Sequence, residues 1–158
     1  MQYDVPLVPQ LSNMSCWAAS IAMILGWNNQ MSIADVTIAR NAGGPNYMTS
    51  YNQGLDPNDK RILRANGFEV EAPQCYTDSG ILNLLRSRGP LWVATWAPGP
   101  HIRVVTGMAG SQLSINDPAP VGRGSRYKRP FTQFFGAMEN LGARELAEAA
   151  PVYVAYLR

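Results

Sequence analysis

With 158 residues the chain has the length of one domain of roughly 150 residues, enough to build a hydrophobic core without disulfide staples or a structural metal. One His and two Cys exclude a Cys/His zinc cluster or a three-His metal site and leave His101 as the only imidazole, so no metal or cofactor is expected. A net charge of +2 argues against nucleic-acid binding, which needs a concentrated basic footprint, and no apolar run approaches the roughly eighteen residues that span a bilayer.

The opening YDVPLVPQLSN reads as extended and turn-like, because its prolines fix backbone angles and remove amide donors. CWAASIAMILG follows as a buried helix over residues 16–26, with Ser12, Asn13 and Ser15 as candidate caps and Gly26 near its end. A second helix is predicted over SIADVTIARNA, capped by Ser32 and stopped at Gly43-Gly44. Residues 44–55 read as a surface loop. DPNDKRILRANG reads as a short helix with Asp56 as cap and Pro57 at its first position, and DSGILNLLRSR as another that stops at Gly89-Pro90.

Beyond Pro90 the pattern becomes strand-like: LWVATWA, IRVVTGMA, QLSIND and VYVAYLR are rich in β-branched and aromatic residues. FTQFFGAMENL and ARELAEAA interrupt them as short helices. The basic run RGSRYKRP reads as a solvated loop or strand edge, with contact to an acidic target as its functional alternative. Helices first and strands later predict a single α+β domain over 1–158, an N-terminal helical lobe packed on a C-terminal antiparallel sheet.

Four residues carry the chemistry: Gln10, Cys16, His101 and Asp117. A thiol attacks well only as a thiolate, which a positive helix N-terminus and a neighbouring imidazolium both favour. Cys16 opens the first helix, and His101 opens a strand just after the turn-forming APGP. Strands 102–109 and 112–116 form a hairpin turning at Gly110-Ser111, which brings His101 and Asp117 to one end of the sheet. Asp117 can then accept from the second ring nitrogen. Gln10 lies six residues before Cys16 in the extended entry, from which its amide can point back to donate to an oxyanion beside the Cys16 backbone amide. Cys75 has no basic neighbour in sequence and reads as structural or incidental. Both thiols are expected to be free. Trp17, Trp92 and Trp96 read as core or cleft-wall residues, with Trp17 adjoining the nucleophile.

The spacing of Gln10, Cys16-Trp17, a downstream His opening a strand and an Asp after the next strand resembles the papain-like cysteine peptidases. VPLVPQLSNMSCWAAS, GPHIRVVTGM and INDP are most similar to the bacterial members related to double-glycine processing peptidases and effector proteases. The family often has Gly or another small residue before its His, where Pro100 stands here. The resemblance implies a papain-like fold, with Cys16 as nucleophile, His101 as general acid/base, Asp117 as its orienter and Gln10 as oxyanion donor. It also implies a protein or peptide substrate, cleaved after small residues such as Gly-Gly. Deamidation, transamidation and cell-wall peptide amidation use the same machinery, and a degenerate peptide-binding module is the non-enzymatic alternative. Cys16 lies too near the start for an N-terminal pro-segment, which points to a delivered toxin or effector acting in a target-cell cytoplasm and restrained by a separate immunity protein.

Overall fold

The computed structural model describes residues 1–43, 51–52, 54–55, 60–72, 74–95, 99–136 and 152–158. Its helices are α1 (Cys16–Asn29), α2 (Asp35–Gly43), α3 (Arg61–Ala65) and α4 (Asp78–Arg88). Its strands are β1 (Phe68–Val70), β2 (Leu91–Thr95), β3 (His101–Ala109), β4 (Gln112–Asp117), β5 (Ser125–Pro130) and β6 (Val152–Leu157). They form one antiparallel sheet in the order β1-β6-β2-β3-β4-β5. The expected α+β architecture is therefore present, and the hairpin turns where predicted, with Ala109 opposite Gln112.

Alternation along the strands gives the sheet two apolar faces. Trp92, Ala94, Ile102, Val104 and Ala155 pack with α1, whose Trp17, Ile21, Ala22 and Ile24 are buried, as expected of a helix apolar nearly all round. Leu91, Val93, Val105, Leu113, Ile115 and Val154 form the second core with Ile81 and Leu85 of α4 and with Phe134 and Phe135. Within this architecture α1 covers one face of the sheet and α4 the other. Strand alternation is the cause: β2 and β3 are apolar on both sides, and each side requires a cover.

The helix expected to end at Gly26 runs on to Asn29 and closes at Gln30, which takes a left-handed φ of 53°. Gly26 stays inside because a Cβ there would lie 2.6 Å from the Met31 carbonyl oxygen and 3.3 Å from the Pro6 ring. α2 begins at Asp35, three residues after the predicted Ser32 cap. Tyr51 is buried, not part of a surface loop, while residues 44–50 and the proposed cap Asp56-Pro57 lie outside the described residues. In the predicted FTQFFGAMENL helix, Thr132–Gly136 is instead a π-helical turn; its continuation, ARELAEAA and Trp96 also lie outside. Strand β1 had no counterpart in the sequence reading, and the basic run forms edge strand β5.

The N-terminal segment is stitched along β3 and β4. Tyr3 N–H donates to the Thr106 carbonyl at 2.8 Å, and Asn116 Nδ2 donates to the Val5 carbonyl at 3.0 Å. A Cβ on Gly107, at the β3 bulge, would sit 2.5 Å from the Met1 carbonyl oxygen, so only glycine admits the segment so close. Gln10 N–H then donates to the Pro118 carbonyl at 3.0 Å. That bond ties the approach to Cys16 directly to the residue after Asp117.

Candidate active site

Cys16 opens α1, and the serine before it does not cap the helix: Ser15 makes no side-chain bond to the first-turn amides. Its hydroxyl donates instead to buried Asp35 Oδ2 at 2.8 Å. The same oxygen accepts from Leu11 N–H at 2.9 Å and the Tyr51 hydroxyl at 3.2 Å, while Oδ1 accepts from Val36 N–H at 2.6 Å. Asp35 therefore shapes the turn before Cys16 and draws the capping hydroxyl away. The Ser15 hydroxyl therefore gives the start of α1 no cap, and the Cys16 side chain stands at the positive end of the helix dipole.

His101 Nε2 lies 2.6 Å from Asp117 Oδ1, and the Cys16 side chain hydrogen-bonds the same imidazole. The predicted pairing of His101 with Asp117 at one end of the sheet is thus seen directly, and Cys16 joins it. Val104 pairs with Asn116, so Arg103 and Asp117 fall opposite one another one step further along, with His101 on the adjacent diagonal. Arg103 Nε donates to Asp117 Oδ2 at 3.0 Å and Nη1 donates to Thr95 Oγ1 at 2.9 Å. The Tyr127 hydroxyl donates to Oδ2 at 2.9 Å, and Ala119 N–H donates to Oδ1 at 2.9 Å.

These contacts set the charges. Burial acts to raise the Asp117 carboxyl, but the hydrogen bond and charge of His101, the Ala119 amide and Arg103 hold it down at about 2. Burial acts to lower the His101 imidazolium, yet its bonds to Asp117 and Cys16 and the charge of Asp117 carry it above the ordinary value, against Arg103. Burial, together with the Asp117 charge and against Arg103, pushes Tyr127 up to about 12 and keeps it a donor.

Gln10 is buried, and its side-chain donors are engaged with backbone carbonyls. Nε2 donates to the carbonyls of Ser12 at 2.9 Å and Asn13 at 3.2 Å, bracing the turn that leads to Cys16, and Oε1 is buried with no hydrogen-bond partner. Trp17 is wholly buried in the core, whereas Trp92 lines the cavity and donates from Nε1 to the Trp17 carbonyl at 3.4 Å. Cys16 and Cys75 are both free, and Cys75 is exposed, which removes a structural role in the core. Arg103, Tyr127, Thr95 and Asp35 were missed by the sequence reading. Only Arg103 carried a signal, as a charge inside the otherwise apolar run IRVV.

Cys16 and His101 stand at one wall of a cavity of about 190 Å³ whose other walls include Met14, Trp92, Ile102 and Tyr153. A sulfur at a helix N-terminus, an imidazole against it and a carboxylate behind that imidazole make an arrangement suited to acyl transfer.

Solved structures share the fold. A double glycine motif protease from an AMS/PCAT transporter, recorded in complex with the leader peptide, aligns over 99% of this chain and 94% of its own at 20% identity and TM-score 0.61. The peptidase domain of Streptococcus ComA, a bi-functional ABC transporter, aligns over 96% and 98% at 19% identity and TM-score 0.58. A putative C39-like peptidase from Bacillus anthracis aligns over 98% and 95% at 15% identity and TM-score 0.63. No curated protein sequence matches at a significant level. The model of the papain-like cysteine protease AvrRpt2 family matches residues 1–139, a span that contains α1, the hairpin, Gln10, Cys16, His101 and Asp117, and the chain belongs to that family of cysteine proteases.

Proposed function

We propose that Cys16 is the nucleophile, His101 the general acid/base and Asp117 its orienter in the hydrolysis of a peptide bond within a protein substrate. The observation that carries this reading is the linked Cys16, His101 and Asp117 group at the wall of an apolar cavity. The Cys16 sulfur bonds to the substrate carbonyl carbon, and its oxygen becomes an oxyanion held by the Cys16 backbone amide and Gln10. His101 gives its proton to the amide nitrogen, the C–N bond breaks, and a thioester remains. Water, losing a proton to His101, then attacks the thioester carbon and the thiolate leaves. For Gln10 to take part, one of its bonds to Ser12 or Asn13 is exchanged for the oxyanion.

An extended peptide is the proposed ligand, with small residues such as Gly-Gly at the cleavage point. The support is the fold shared with double-glycine proteases, one of them recorded with its leader peptide. The proposal also retains a delivered effector working in a target-cell cytoplasm and neutralised in its producer by an immunity protein. Its support is the resemblance carried by the Gln10, Cys16-Trp17, His101 and Asp117 motifs.

The test compares cells expressing wild type or Cys16→Ala by growth and by mapping of protein N-termini. New termini that depend on Cys16 and follow small residues are expected. Growth arrest without new termini overturns proteolysis, and an accompanying mass shift from amide to acid or to a cross-link identifies deamidation or transamidation instead.

A further inference from the structure

Asp117 accepts more hydrogen bonds than orienting an imidazole requires. His101 uses one site on Oδ1; the other contacts arrive from a strand residue on each side and from the following turn. Thr95, Arg103, Asp117 and Tyr127 lie on successive strands β2, β3, β4 and β5 on the face that carries the second core, Arg103 opposite Asp117 and the other two on diagonals. The Arg103 guanidinium is buried there, 5.6 Å from the centre of the Phe134 ring, so it has little freedom to leave Asp117. Its partner atoms are fixed in turn, since the Thr95 hydroxyl contacts the His101 carbonyl at 3.4 Å.

We infer that Arg103 and Tyr127 are positioning residues of the catalytic group: together they hold Asp117 Oδ2 in one place, so that Oδ1 presents a fixed acceptor to His101 Nε2. This rests on the roles proposed above for Cys16 and His101. The forked geometry matters because Nε and Nη1 of one guanidinium reach Asp117 and Thr95 simultaneously, which a lysine ammonium does not reproduce. Tyr127 supplies the second donor to Oδ2 from the edge strand, its hydroxyl pushed up to about 12 by burial. Among the described residues the further ionisable neighbours are Cys16 on α1, Lys60 and Tyr153 at the cavity wall, and Arg129, whose guanidinium lies 5.2 Å from the Tyr127 ring centre.

The experiment reads Cys16 itself and needs no substrate. In a Cys75→Ser background, alkylation of Cys16 by iodoacetate is followed against pH: the thiolate displaces iodide, and the reagent's negative charge makes the rate depend on the imidazolium beside it. The alkaline fall in rate therefore reports loss of the His101 proton. Arg103→Lys keeps the charge but loses the fork, and Tyr127→Phe removes one neutral donor. A loosened Asp117 stabilises the imidazolium less, so each variant moves the alkaline limb down by about half a pH unit and the double variant by about one, a tenfold change in that equilibrium. Profiles that superimpose on wild type in folded Arg103→Lys and Tyr127→Phe overturn the inference, whatever happens to thermal stability. His101→Ala separates the two readings: if it too leaves the alkylation profile unchanged, the Cys16–His101 pairing is what fails.

Discussion

His101 Nε2 and Asp117 Oδ1 meet at 2.6 Å although sixteen positions separate them, because the β3–β4 hairpin returns the chain to the end of the sheet from which it started. Asp117 does not depend on that contact to remain satisfied, since Arg103, Tyr127 and the Ala119 amide also donate to it. His101→Ala is therefore expected to leave a folded protein while turnover falls by about a thousandfold or more, the combined loss of acid/base catalysis and of the partner that activates the thiol. Steady-state kinetics alongside a melting curve checks this, and retained cleavage rejects His101 as the general acid/base.

The same pair sets the dependence of stability on pH. Asp117 has an ordinary value of 3.8 and a folded value of about 2, so its contribution, about 2 kcal/mol, is complete above 3.8 and disappears as the pH falls toward about 2. His101 is raised from 6.5, so its contribution is complete below 6.5 and is lost as the pH rises through its folded value. The His101–Asp117 bond contributes to both shifts, and its energy counts once. Melting temperature is expected to be highest between these limits, declining on the acid side by about 4–8 °C on this account. Asp117→Asn should flatten both flanks; a profile parallel to wild type removes this pair as their source.

Gln10 faces two tasks, bracing the turn before Cys16 and donating to an oxyanion. Gln10→Ala is expected to lower kcat by about a hundredfold with little change in KM, the usual effect of losing one oxyanion donor. A fall in melting temperature with kcat intact identifies a residue that only braces Ser12 and Asn13.

Asp35→Ala removes the acceptor shared by Leu11, Ser15, Tyr51 and Val36. Stranding several buried donors should cost about 3 kcal/mol or more, read as a drop of about 6–12 °C in melting temperature. Some recovery is expected in Asp35→Asn, which keeps one acceptor oxygen. Equal losses in the two variants count against hydrogen bonding as the cause.

Gly26→Ala sets helix propensity against packing. Inside a helix Ala is worth about 1 kcal/mol over Gly, but the new methyl would lie 2.6 Å from a backbone oxygen that has no flexible side chain to yield. Overpacking of this kind costs about 1–3 kcal/mol, so a net loss of stability is expected in denaturant unfolding. A gain shows that the Met31 segment shifts freely.

Local chemistry was enough to locate much of the site. The proline-rich entry, the apolar run from Cys16 and the turn at Gly110-Ser111 are short-range signals, and the hairpin needed only that turn and strand alternation to bring His101 toward Asp117. α4 was legible for the same reason, from Asp78 to its glycine stop. Other features depend on segments that meet only after folding. Asp35 looked like part of a helix start until Leu11, Ser15 and Tyr51 converged on it, and the bonds of Gln10 to the Ser12 and Asn13 carbonyls form only in the folded turn. Arg103 and Tyr127 lie on strands either side of Asp117, and no periodicity within one strand reveals which residues its neighbours will bring within reach. Backbone propensity and turn geometry act over a few residues and can be read along the chain, whereas the environment of a buried carboxylate is set by strand register and by the layers packed on each face.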